Sequence, residues 1–151
     1  MTMLPFLFSL VAAEPFDVAA HPVILSTHAE GAQLYECKAA ADGALRWAFR
    51  EPIATLIVDG RTVGRHYAGP KWALDDGSVV QGRMVGTTPG ATAADIPELK
   101  LQVVDRQGQG RLTEAAFVYR LHTKGGVLDG ACPALGALQS APYSADYVFT
   151  K

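Results

Sequence analysis

The chain has 151 residues, 49% of them hydrophobic and 19% charged, with a formal charge of −2 and a pI near 6.0. That length suits one domain with a substantial core. The weak charge supplies no field that would draw nucleic acid or an anionic membrane, so neither is expected as a partner.

From the N-terminus, "MTMLPFLFSLVAAEPF" is apolar from Met3 to Val11 and then offers Val11-Ala12-Ala13 before an acid. This has the shape of a short signal-peptide core with a small-residue cleavage site, degenerate in lacking a Lys or Arg ahead of it. The alternative is a strand with Phe6, Phe8 and Leu10 on one face. Residues 1–30 are thus read as an N-terminal segment and lead-in, and residues 31–151 as a single β domain. No run reaches the roughly 20 apolar residues of a membrane-spanning helix.

From Gly31 onward, strands dominate the pattern. "AQLYECKA" alternates Leu34, Glu36 and Lys38 with Tyr35, Cys37 and Ala39. A strand through Trp47 and Phe49 is expected to break at Pro52 and give way to an apolar strand Ala54 to Val58. Asp59-Gly60 then signals a hairpin returning through Val63 toward Tyr67, and Asp76-Gly77 signals a second between Trp72-Leu74 and Val79-Val85. "TTPGATAAD", residues 87–95, reads as the longest flexible loop. A strand Leu99-Leu101-Val103 comes next, then a Gly-rich turn and a return strand with Phe117, Tyr119 and Leu121 on one face and Val118, Arg120 and His122 on the other. Ala131 to Ser140 and the segment before Leu99 are the best candidates for short helices. Tyr143, Ala145, Tyr147 and Phe149 alternate along a closing strand. The expected fold is all-β: a single-domain antiparallel β-sandwich or barrel with short hairpins and at most one or two short helices.

"HYAGPKW", residues 66–72, holds the densest group of functional-looking side chains. His66 could ligate a metal or exchange protons with His122 and Asp75 or Asp76. The preferred reading is a structural or ligand-contacting corner, with His66 and Tyr67 at its rim and Trp72 anchoring the returning strand. No His-x-His, HExxH or CxxC occurs, so no metal or cofactor is expected. Asp76-Gly77 is explained as a turn, and Ser78 and Ser144 lack the context of a nucleophile. "GQGRLT" from Gly108 has two of the three glycines of a dinucleotide loop but sits between strands, the wrong context. Arg120 and Lys124, beside His122 and Gly125-Gly126, admit an anion pocket; a solvated hairpin end is the preferred reading.

The two cysteines, Cys37 and Cys132, are open to pairing or to burial as free thiols. The segments "GAQLYECKA", "PIATLIVDGRTVGRHYAGPKWALDDGSVVQG", "IPELKLQV", "VYRLHTKGGVLDGAC" and "YSADYVF" together resemble a secreted bacterial and fungal family, domain of unknown function 3455. The likeness covers roughly Gly31 to Lys151. It implies a small exported domain in which Cys37 and Cys132 are paired, and it implies no activity. Members usually carry a longer leader than residues 1–30.

The chain is therefore read as an exported β module, secreted or periplasmic, that binds a surface or small-molecule ligand or plays a structural part, with His66, Tyr67, Trp72 and His122 as candidate ligand contacts and no catalytic residue. The alternative is a metal-dependent or acid-base enzyme centred on His66 and His122. A third possibility is self-association or assembly through the edge of the "SADYVFT" strand.

Overall fold

The computed structural model describes residues 16–151. The signal-peptide reading falls on residues 1–15 and lies outside them. Eight strands succeed one another: β1 (Val23–Ala39), β2 (Leu45–Val58), β3 (Arg61–Tyr67), β4 (Lys71–Leu74), β5 (Val79–Thr88), β6 (Glu98–Gln107), β7 (Phe117–Gly125) and β8 (Leu138–Thr150). Each pairs antiparallel with the next, and β8 pairs with β1 through contacts such as Ala29↔Ala145, so the sheet closes into a barrel. No helix is long and apolar enough to cross a membrane among the described residues.

Local chemistry explains the bottom turns. Val58 pairs with Arg61 across Asp59-Gly60, both at positive φ (50° and 74°). Mirror-image turns of this kind match the twist of the flanking strands, and glycine accepts that conformation without a Cβ penalty. At the second hairpin, Asp76 Oδ1 accepts hydrogen bonds from Ser78 N (2.9 Å) and Ser78 Oγ (2.6 Å), and its Oδ2 accepts one from Arg111 N (2.7 Å). This fastens the connection 108–116 under the barrel, where Leu112 and Ala115 plug that end of the core. A Cβ on Gly110 would overlap the Asp76 carboxylate. The glycines of "GQGRLT" thus serve close backbone approach at a barrel end.

Several expectations need correction. β2 runs unbroken through Pro52, which pairs with Gln33. Pairing with β3 begins only at Ala54, so Pro52 lies where β2 has a neighbour on one side alone, and its missing donor is tolerated there. β1 starts at Val23, so residues 23–30 belong to the barrel rather than to a lead-in. Residues 131–140 form no helix: an isolated bridge joins Ala131 to Arg46, and β8 begins at Leu138. Residues 89–97 are not the longest connection, since 126–137 is longer. They are also tied down, with Asp95 accepting from Thr92 N, Thr92 Oγ1 and Gly125 N. The "SADYVFT" strand offers no free edge, because β8 is paired with β1 on one side and β7 on the other.

Cys37 and Cys132 are bonded, with Cα atoms 5.7 Å apart. The bond pins the long connection 126–137 against the far ends of β1 and β2, where Cys37 N also donates to Ala137 O and Trp47 N to Gly130 O. On the outer wall, Phe16 and Val18 pack on Tyr119, Leu121 and Val148. Lys100 holds this segment by an ion pair to Asp17 at 2.9 Å.

Candidate ligand-binding site

Inward-facing side chains fill the lower half of the barrel, with Leu25, Leu56, Leu74, Val80, Val103 and Phe149 around Leu112. The upper half is hollow. A cavity of about 540 Å³ opens at the end that carries connections 68–70 and 89–97. The wall is low there because β3 and β4 are short, while β2 climbs past them without a partner on that side. Phe49, Met84 and Pro70 border the mouth, and Leu99, Leu101 and Ile96 line the side.

The polar groups converge inside. His66 is 3% exposed and Trp72, its cross-strand partner, 1%. Their rings stack at 4.5 Å, and Tyr147 meets both, at 4.9 Å from His66 and 5.5 Å from Trp72. His66 Nδ1 lies 2.9 Å from Lys71 O. A carbonyl can only accept, so Nδ1 carries the proton and Nε2 presents a lone pair. Burial pushes the His66 pKa down to about 4, against the opposing hydrogen bond to Lys71, with the Arg120 charge helping to lower it. The imidazole is neutral at neutral pH. Tyr147 Oη is 3.0 Å from Tyr143 Oη, and burial raises both phenols.

Arg120 is the third element of this group. It projects into the cavity at 9% exposure, and its Nε (2.9 Å) and Nη2 (2.7 Å) donate to Pro97 O. Among the described residues it makes no ion pair, and the cavity lining contains no Asp or Glu. Two buried polar atoms of lining side chains, Trp72 Nε1 and Gln33 Oε1, have no hydrogen-bond partner among the described residues.

The four sequence candidates separate. His66 and Trp72 line the cavity together, whereas Tyr67, next to His66 on β3, is exposed. Successive residues of a strand point to opposite faces, so the two cannot share a site. His122 is exposed as well. Its backbone is left-handed (φ 53°) at an irregularity between Leu121 and Lys124, and its Nδ1 bonds Asp146 Oδ2 at 2.8 Å. That irregularity breaks the strand alternation, leaving Arg120 inside and His122 outside, and it corrects the reading of Arg120 as part of a solvated hairpin end. The two imidazoles therefore do not face one another. Asp146 also bonds His28 Nδ1 at 2.9 Å, and Glu30 bonds His28 Nε2 at 2.8 Å; these hydrogen bonds raise the His28 pKa. Among the described residues no group of three or more His, Cys, Asp or Glu is placed to hold a metal ion.

Sequence reasoning missed Gln33 and Tyr147 as cavity residues, and Arg120 as a buried one. One signal was legible: in "FVYRL" a permanent cation sits within an otherwise apolar strand, where it is either solvated or required inside.

No curated protein matches the chain, and no solved structure matches it. The model of the family described as "protein of unknown function (DUF3455)" matches residues 18–151, from the outer-wall segment through all eight strands, and the chain belongs to that family.

Proposed function

We propose that this protein is a non-enzymatic binding module that encloses one small, largely apolar ligand in the upper half of its barrel. The observation that carries the reading is the cavity itself: about 540 Å³, open at one end, with mainly apolar and aromatic walls and a few convergent polar groups. Ligand sites typically have this size and make-up, and eight-stranded barrels are just wide enough to hold one small molecule. Among the described residues the cavity offers no carboxylate to work with His66, and burial lowers the pKa of that imidazole to about 4, well below the near-neutral value that suits an acid-base catalyst, so binding is favoured over acid-base chemistry. Export fits the Cys37–Cys132 bond, since disulfides persist in oxidising compartments. His66 and Trp72 are the ligand contacts in this reading, and Tyr67 and His122 are not.

Titration with the neutral fluorophore N-phenylnaphthylamine tests it. Saturable binding at one site per chain is expected, and Leu99→Trp, which fills the cavity from its side wall, should weaken it at least about tenfold. The reading is overturned if the probe fails to saturate, or if a Leu99→Trp protein with a native circular dichroism spectrum binds as well as the parent.

A further inference from the structure

A cation inside an apolar cavity is costly to keep. Removing a charge from water carries a penalty of several kcal/mol unless an opposite charge and satisfied hydrogen bonds offset it. Arg120 has one carbonyl oxygen shared by two of its nitrogens, and no carboxylate pairs with it among the described residues. The neighbouring Tyr147 phenol offers Arg120 a hydrogen-bonding oxygen but, held neutral by burial, brings no charge. A guanidinium carries five N–H donors in a planar fork suited to paired oxygens, and Pro97 O takes up only two of them. Across the same cavity, the Trp72 indole N–H lacks an acceptor among the described residues. Among the described residues the cavity thus presents unused donors and a positive charge without a negative one.

We propose that the ligand is a small amphipathic carboxylate, whose head group pairs with Arg120 while its apolar body runs past Leu99 and Ile96 toward Phe49 and Met84 at the mouth. This rests on the binding reading above and gives that ligand its chemical class. Charge balance selects a monoanion. Arg120 is the single interior cation among the described lining residues, because His66 is neutral and Arg50 at the rim is already paired with Glu36 at 3.1 Å. A phosphate monoester would bring a second negative charge with nothing to neutralise it. Gln33 Oε1, a buried acceptor without a partner among the described residues, further suits a ligand that carries a hydroxyl or amide hydrogen beside its acid.

The test compares decanoate, decanol and decyl phosphate, each displacing N-phenylnaphthylamine at pH 7 from the full chain and from Arg120→Met and Arg120→Lys. Decanoate should bind the parent at least about tenfold more tightly than decanol, since charge-assisted hydrogen bonds are the strong ones. Arg120→Met should erase that preference while still binding decanol and the fluorophore, and its melting temperature should hold or rise because a buried charge with no counter-ion among the described residues is gone. Arg120→Lys should retain part of the preference. Equal affinity for decanoate and decanol, or a preference that survives Arg120→Met, would overturn the carboxylate while leaving the binding module standing. Tighter binding of decyl phosphate would overturn the monoanion. Loss of all three ligands and of the fluorophore from the parent would overturn the binding reading itself.

Discussion

Side-chain direction at two strand positions governs the interior. Alternation turns His66 inward to stack on Trp72 and Tyr67 outward, and the left-handed backbone of His122 turns that side chain out while Arg120 stays in. The buried imidazole has a consequence for stability. Its folded pKa of about 4 lies below the unfolded value near 6.5, so between those values the unfolded chain binds more protons. The contribution is whole above pH 6.5 and is lost as pH falls toward 4, by about 3 kcal/mol in total. His66→Asn, whose amide nitrogen can replace Nδ1 as donor to Lys71 O, removes the titration. Urea unfolding of the two proteins from about pH 4 to about pH 7.5, the window that brackets both pKa values, should show the parent losing stability relative to the variant as the solution is acidified. A pH-independent difference would refute the neutral buried state. The comparison with the variant cancels His28, whose raised pKa acts with opposite sign: its contribution is present below 6.5 and fades as pH rises through the folded value.

Among the elements, the pair of connections at the plugged end is the most tightly specified. Burial would raise the Asp76 pKa, yet the hydrogen bonds from Arg111 N, Ser78 Oγ and Ser78 N, helped by the Arg111 charge, outweigh it and hold the carboxyl below its usual range. The carboxylate joins the β4–β5 turn to connection 108–116, which carries the Leu112 plug. Asp76→Ala should therefore cost about 1.5–3 kcal/mol, the range for hydrogen bonds to a charged group. Hydrogen exchange at Arg111 and Leu112 should accelerate more than at Leu101. Uniform acceleration across the barrel, or none, would mean that the carboxylate does not fasten this loop. At the opposite end the short β3 and β4 leave the wall open, so one hairpin length decides where the cavity meets solvent.

For the molecule in its entirety, β1 and β8 close the sheet, and the disulfide fastens the longest connection, 126–137, against β1 and β2. The bond spans 95 residues of sequence. Closing a loop of that length is worth about 4–5 kcal/mol in the chain-entropy model. The double variant Cys37→Ala, Cys132→Ala should fall short of the parent by up to that amount in urea unfolding, and denatured, unreduced parent should expose almost no titratable thiol. Two thiols per chain in that titration would contradict the pairing.

Most strands, the two Asp-Gly turns and the all-β class were legible in the residues alone, because turn chemistry and period-two alternation act over a few residues and need no distant partner. The cysteine count left free thiols as an alternative and the family resemblance implied pairing, which the meeting of β1 with connection 126–137 bears out. Three other features were beyond local reading. Pro52 sits within a strand because β2 has no second neighbour at that height, a fact that depends on where β3 ends. Arg120 and His122 part company because β7 departs from regular pairing against β8, which alternation cannot register. The cavity, with its buried guanidinium, exists only because eight strands close on one another: Gln33, His66, Trp72, Arg120 and Tyr147 come from β1, β3, β4, β7 and β8, and their convergence is a property of barrel closure and of no segment taken alone.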